Sequence, residues 1–253
     1  ADLRAAAIEA GLQGGLHRKE HGGNSWSHVE WMLVEEQFGR STNAISWYVP
    51  NAYNVWRAAS PELQQRWLVP ALRGELHDAY AVTERFAGSD PSGMTTVARR
   101  VPGGWEISGE KWFVTFGGIS SVIIVVAYAL EHGESLEDPN TPRRTTLFAV
   151  PIESAGISTL DDPPFTHNYA DGHPTMVFDR VRVTDADVIG EIGGGDELQR
   201  AWFVEERLGI AVRCGGAMQR LLEEAMEWTT SREQGGARLI DHQGVSFPLA
   251  DSA

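Results

Sequence analysis

Three stretches of this sequence carry residue types at spacings that can do chemistry. His17-Arg18-Lys19-Glu20-His21 has the H-x-x-E-H spacing, which holds zinc when both histidines share one helical face. Gly14-Gly15 precedes it and Gly22-Gly23 follows it, so a stable helix is disfavoured and a polar loop with no metal is expected. Gly190-Glu191-Ile192-Gly193-Gly194-Gly195 invites a dinucleotide site. Its spacing is not G-x-G-x-x-G, and a long helical pattern follows with no second strand, so a connector between sheet and helix is expected. The third stretch is larger. It comprises Tyr80-Ala81-Val82-Thr83-Glu84, Ala87-Gly88-Ser89-Asp90 and Gly109-Glu110-Lys111-Trp112-Phe113-Val114-Thr115. A strand end, a turn and a hairpin explain these residues structurally. Chemically, extended backbone at Val82 with hydroxyls at Thr83, Ser89 and Thr115 suits the edge of a polar planar ring such as a flavin. Phe113 or Trp112 can cover one face of such a ring.

The elements that must position these residues change character twice along the chain. From residue 1 to about 79 the signals are helical. Val29, Met32, Leu33 and Phe38 recur near helical spacing, and Gly39 stands where a C-terminal cap belongs. Ser60-Pro61-Glu62 sets a cap residue, a first-turn proline and an acid in order. Leu63, Trp67 and Leu68 form the apolar stripe, and Pro70 is expected to end or kink that helix. From about 80 to 190 the pattern is β. Trp105-Glu106-Ile107-Ser108 alternates into an expected turn at Gly109. Val122–Ala129 is a continuous β-branched run, as in a strand buried on both faces, and Thr145–Val150 and Thr175–Val183 are two more strands. From Asp196 a helix is predicted to about Arg232, with another starting near Asp241 and still running at Leu249. Such segregated runs indicate an α+β architecture or separate domains, divided at 1–79, 80–192 and 193–253.

Composition narrows the function classes. The 253 residues include 21 Lys+Arg against 35 Asp+Glu, a formal net charge of −14. Such a field repels nucleic acid and anionic membrane surfaces. The one cysteine, Cys214, excludes an intrachain disulfide and a Cys-rich zinc site. The apolar run from Val122 to Leu130 is far too short to span a bilayer, and Ala1-Asp2-Leu3-Arg4 begins no signal-peptide core, so a cytoplasmic protein is expected.

The motifs taken together resemble the acyl-CoA dehydrogenase family. That family shows an A-x-T-E-P-x-A-G-S-D run followed by G-x-K-x-(aromatic)-I-T, and this sequence has AVTERFAGSD and GEKWFVT. Further matches are Glu20–Gly23, Val34–Arg40, Phe178–Val183, and a run of segments from Arg207 to Asp251, in the family's order over nearly the whole chain. Two departures stand out: Arg85 replaces the proline after the T-E pair, and Gly235 replaces the aromatic residue after Gln234.

The resemblance implies a helical N-terminal domain, a central antiparallel β domain and a C-terminal helical-bundle domain, with FAD in the cleft between them. It implies FAD-dependent α,β-dehydrogenation of an acyl-CoA thioester, with a carboxylate taking the α-proton and flavin N5 the β-hydride. An acyl-CoA oxidase, or a non-catalytic subunit completing a partner's FAD site, are the alternatives. By similarity Tyr80, Val82 and Thr83 line the isoalloxazine, with Phe113 and Thr115 on its other side. Gly88 and Ser89 belong to a flavin-binding loop, and Ser89 and Arg207 contact substrate. Arg232 aligns with an arginine that reaches the FAD pyrophosphate of a neighbouring subunit, which implies a homo- or hetero-oligomer. An electron-transfer flavoprotein or similar acceptor is the implied redox partner.

The α-proton of a thioester is weakly acidic, so the carboxylate that removes it must be desolvated, and the thioester oxygen needs hydrogen bonds as enolate character develops. Most family members supply that carboxylate from a later helix than any in this chain; a subgroup supplies it from the glutamate before the R-L pair, here Glu206. Its helical neighbours Trp202, Phe203, Gly209 and Ile210 are non-polar, which favours a raised pKa. Glu205, among Ala201, Trp202, Leu208 and Gly209, is barely separated from it, and either glutamate can pair with Arg200 or Arg207. Against the family pattern the chain is expected to lack part of the first helical domain and the last helices, leaving an apolar face exposed on the C-terminal helices.

Overall fold

The computed structural model describes residues 3–41, 46–166 and 172–253. Its main helices are α1 (Leu3–Glu9), α2 (His28–Gly39), α3 (61–72), α4 (Gly195–Ser231) and α5 (Gln243–Ser252). The strands are β1 (Asp78–Ala81), β2 (Val97–Val101), β3 (Gly104–Lys111), β4 (Val122–Leu130), β5 (Arg144–Pro151), β6 (Ile157–Asp161), β7 (Thr175–Val183), β8 (Val188–Ile189), β9 (Glu233–Gln234) and β10 (Ala237–Arg238). The α+β order expected from the sequence is the order found. The chain forms two compact units, one of residues 1–25 with 49–204 and one of residues 26–48 with 205–253. Among the described residues no helix is long and apolar enough to cross a membrane.

The first unit is built on a sheet in the order β6-β7-β3-β2-β4-β5-β8. Most pairings are antiparallel, but β1 and β2 both run parallel to β4 and share one of its edges. β1 takes Val122–Val125 and β2 takes Tyr128–Leu130, while β5 covers the opposite edge. The chain therefore leaves the sheet after β1, travels through residues 82–96, and returns to the same edge as β2. β4 is buried along its whole length because apolar clusters cover both faces. Val122, Ile124, Val126 and Tyr128 pack on one side with Trp56, Leu68 and Leu72. Ile123, Val125, Ala127 and Ala129 pack on the other with Trp105, Phe148 and Phe178.

Several local expectations are corrected. Of the two outcomes expected of Pro70, an end or a kink, the end is not found. A π-helical turn over Gln64–Leu68 precedes it, which widens the backbone where the proline ring would otherwise press on the preceding turn, and the helix runs on to Leu72. Gly109 is no turn but a residue of β3 beside a bulge, where a Cβ would lie 2.3 Å from the Thr96 hydroxyl oxygen. Gly39 is not a left-handed cap. It is the last residue of α2, followed by Arg40 in helical conformation, and a Cβ there would lie 2.0 Å from the Arg213 carbonyl oxygen. β2 and β6 were not legible in the sequence. β6 is an edge strand whose residues after Ile157 are exposed, so it shows no apolar alternation.

Candidate functional site

In the first unit the excursion between β1 and β2 is held by a buried ion pair. Lys111, at the end of β3 and fully withdrawn from water, donates to the Val82 carbonyl at 2.9 Å and to the Glu84 carboxylate at 2.9 Å. Glu84 also accepts from the backbone N–H and hydroxyl of Thr95 and from those of Thr96, at 2.6–3.0 Å. Burial alone would push this carboxyl up; the Lys111 ammonium and the Thr hydrogen bonds outweigh it and hold the pKa at about 2. Next along the chain, the Trp112 backbone N–H donates to the Thr83 carbonyl at 2.7 Å. The carbonyls of Val82 and Thr83 are therefore committed to protein donors. Glu84 and Ala87 close a tight turn through reciprocal backbone bonds of 3.0 and 3.1 Å, so Arg85 occupies the turn without breaking it. The Arg85 guanidinium covers the Trp112 ring at 4.9 Å.

Segment 112–117 is set in an unusual backbone. Phe113 (φ 54°) and Phe116 (φ 67°) are non-glycine residues in the left-handed region, a costly conformation that tertiary contacts must hold. Neighbouring bonds supply that hold, from the Val114 N–H to the Pro174 carbonyl at 3.0 Å and from the Gly117 N–H to the Val114 carbonyl at 2.8 Å. The result presents the Phe113 ring half-exposed, at 48%, and sets the Thr115 hydroxyl at hydrogen-bond distance from His173 Nδ1, 2.9 Å. Tyr80 lies on β1 with its ring against Trp202 (4.6 Å between centroids) and Tyr53 (5.3 Å). Burial, with Tyr53 close by, raises the Tyr80 phenol, and its hydroxyl is buried with no hydrogen-bond partner in the structure. Gly88 and Ser89 lie exposed in the loop that follows.

The second unit holds the carboxylate candidates. Glu206 on α4 is half-buried and its pKa is raised, first by burial, with Glu35 adding to the rise and Arg213 opposing it. Its ion-pair partner is Arg213, at 3.6 Å, and not Arg200 or Arg207. Arg213 in turn donates to Glu35 of α2 at 2.6 Å. Glu205 points to a different group, His28, at 4.0 Å. Arg207 is exposed. Arg232 is also exposed, just past the end of α4, where its carbonyl accepts from Leu239 N–H at 2.9 Å. Beyond it β9 and β10 form a hairpin whose turn needs positive φ at both Gly235 (65°) and Gly236 (82°), which explains a glycine at 235.

The remaining motifs resolve structurally. His17 is buried and its Nε2 meets the Ala52 carbonyl at 2.8 Å, while only Lys19–His21 form a short 3₁₀ turn, so the two histidines share no helix. Among the described residues no group of His, Cys, Asp and Glu is arranged to hold a metal. The glycines before α4 are a connector. Gly193 donates to the Thr146 hydroxyl, and a Cβ on Gly195 would lie 2.7 Å from the Thr145 carbonyl oxygen.

Family models for the three acyl-CoA dehydrogenase domains match consecutively: the N-terminal domain over residues 1–75, the middle domain over 79–181 and the C-terminal domain over 193–253. The chain belongs to the acyl-CoA dehydrogenase family. Among curated relatives of this family, (R)-benzylsuccinyl-CoA dehydrogenase of Thauera aromatica is 28% identical over 100% of this chain and 62% of its own length. The caffeyl-CoA reductase-Etf complex subunit CarC of Acetobacterium woodii is 26% identical over 93% of this chain and 62% of its own length. A probable acyl-CoA dehydrogenase structure from Mycobacterium abscessus superimposes with a TM-score of 0.88 at 25% identity, over 99% of this chain and 66% of that one. The chain thus spans about 62% of the length of each of these two curated relatives.

For a member of this acyl-CoA dehydrogenase family, the first unit brings Val82, Thr83, Phe113 and Thr115 onto two stitched segments. Glu84 and Lys111, which do the stitching, and His173, Arg213 and Glu35 are not among the residues expected from the sequence. Lys111 carried a signal, since it falls in the same inward alternation as Trp105 and Ile107 on β3. Arg213 carried another, standing seven residues after Glu206 and hence on the same helical face.

Proposed function

We propose that the chain performs FAD-dependent α,β-dehydrogenation of an acyl-CoA thioester. The observation that carries this is the Lys111–Glu84 pin, which fixes Val82 and Thr83 beside Trp112 and Phe113, directly after the strand that carries the unpartnered Tyr80 hydroxyl. These residues fit a flavin: a buried hydroxyl that needs a partner, a rigid extended backbone, and an exposed aromatic ring held in place. Tyr80, Val82, Thr83, Phe113 and Thr115 would hold its ring system, Gly88 and Ser89 the adjoining loop, and Arg232 the pyrophosphate of a neighbouring subunit's FAD. FAD, when bound, supplies the acceptor for the β-hydride.

The chain's own residues supply the rest. Glu206 takes the α-proton; its burial raises its affinity for that proton and Arg213 keeps it ionised beforehand. Ser89 and Arg207 bind the substrate. An electron-transfer flavoprotein or similar acceptor is the redox partner, a choice supported by the relative that bears the name of an Etf complex subunit. The division at 1–79, 80–192 and 193–253, assembled as a homo- or hetero-oligomer, completes the proposal.

The test is to purify the protein, record its flavin absorbance, and titrate it anaerobically with acyl-CoA thioesters of graded length. Bound FAD that bleaches on addition of a thioester is the expected result. A protein that binds FAD from solution and is never bleached would overturn the enzymatic assignment, and one that binds no FAD would overturn the cofactor site.

A further inference from the structure

The second unit contains a guanidinium set between two carboxylates by an unusually close crossing of α2 and α4. Three glycines permit that crossing. A Cβ at Gly39 would lie 2.0 Å from the Arg213 carbonyl oxygen, one at Gly216 1.9 Å from the Glu36 carbonyl oxygen, and one at Gly209 3.0 Å from the Trp31 ring. Backbones in such contact bring Glu35, nearly buried on α2, against Arg213 on α4.

The two contacts of Arg213 differ in kind. Nη1 to Glu35 Oε2 is 2.6 Å, a charge-assisted hydrogen bond that fixes the guanidinium. Nη2 to Glu206 Oε1 is 3.6 Å, an ion pair too long for a hydrogen bond. Glu206 therefore feels the positive charge while that oxygen's lone pairs are not consumed by it. Such an arrangement keeps a carboxylate ionised and leaves it able to accept a proton.

We infer that Glu35 and Arg213 are a positioning pair for Glu206, Arg213 setting the charge state of its carboxylate and Glu35 anchoring Arg213 while drawing off part of its field. The inference deepens the assignment of Glu206 as base and rests on it. Among the described residues, the charged groups facing Glu206 are Arg213 along its own helix and Glu35 from α2; the adjacent Glu205 turns to His28.

The pair makes opposite demands on two substitutions. Arg213→Met removes the opposing charge and raises the Glu206 midpoint, by about one pH unit or more for a charge at this distance. Glu35→Gln removes a like charge and frees Arg213 for Glu206, so the midpoint falls. The readout is the carboxyl titration of Glu206 in the full chain labelled with ¹³C-glutamate, its resonance assigned by loss in Glu206→Gln. The pH profile of flavin bleaching in the FAD-loaded protein is followed in parallel. Opposite shifts support the pair; midpoints that stay put or move together overturn it, because a merely structural role predicts no opposition of sign. If Arg213→Met does not fold, Glu35→Gln decides alone, a fall supporting the pair and any other result overturning it. Bleaching that survives Glu206→Gln overturns the base assignment separately, since the titration shifts do not depend on turnover.

Discussion

The ammonium of Lys111 and the carboxylate of Glu84 meet at 2.9 Å with both side chains withdrawn from water, and between them they gather the backbone of residues 82–96 into one arrangement. Removing one partner leaves the other as an uncompensated buried charge. Lys111→Met should cost about 3–5 kcal/mol of stability. Combining it with Glu84→Gln should cost less than the sum of the two single changes, because the second removes the orphaned charge. Urea unfolding of the four proteins in the cycle checks this; additive costs would show that the two side chains act independently.

His17 makes stability depend on pH in a defined direction. Burial is the main cause that lowers its pKa from 6.5 to about 4, with the hydrogen bond to the Ala52 carbonyl opposing. Between those values the unfolded chain takes up a proton that the folded chain refuses, so stability should fall as pH drops from about 6.5 to 4, by up to about 3 kcal/mol. Asp78 works against this: burial, only partly offset by its bonds from Tyr53 and Trp56, raises its carboxyl to about 6. The folded state holds that proton more tightly, so Asp78 contributes stability as pH falls from about 6 to 4. Denaturant titrations of the wild type and His17→Asn at pH 7, 5.5 and 4 isolate the histidine. The wild type should lose more than the variant, and a constant difference across the three pH values would contradict the assignment.

Adjacent glycines on α4 should respond oppositely to the same change. Gly216 faces the Glu36 carbonyl, where a Cβ has 1.9 Å, whereas a Cβ on Gly215 meets nothing within 4 Å. Gly215→Ala should stabilise by roughly 0.5–1 kcal/mol through helix propensity. Gly216→Ala should destabilise by about 1–3 kcal/mol or more, because the two helix backbones must separate. Thermal unfolding of the two single variants measures both, and equal signs would show that α2 and α4 do not cross in backbone contact.

What the sequence made legible follows from how far apart the determining residues lie. β4 could be read directly, because burial on both faces demands an unbroken β-branched run within one segment. The long helix α4 was legible for the same reason, its helical pattern from Asp196 to about Arg232 being local. Gly39 was misread as a cap because its partner, the Arg213 carbonyl, lies far along the chain. Glu206 stands out in the sequence by its non-polar helical neighbours, but neighbours three and four positions away do not disclose Arg213 seven positions on or Glu35 on another helix. Pro70 was judged by its ring alone, and the π-helical turn that makes room for it left no mark in the residue types.

The most direct measurement is anaerobic bleaching of the FAD-loaded Glu206→Gln protein by an acyl-CoA that bleaches the wild type. Glutamine keeps the shape of the side chain and removes its capacity to take a proton. The prediction is FAD bound as in the wild type and bleaching slowed by several orders of magnitude, since the α-proton has no acceptor. Bleaching at the wild-type rate would contradict the assignment of Glu206 as the base.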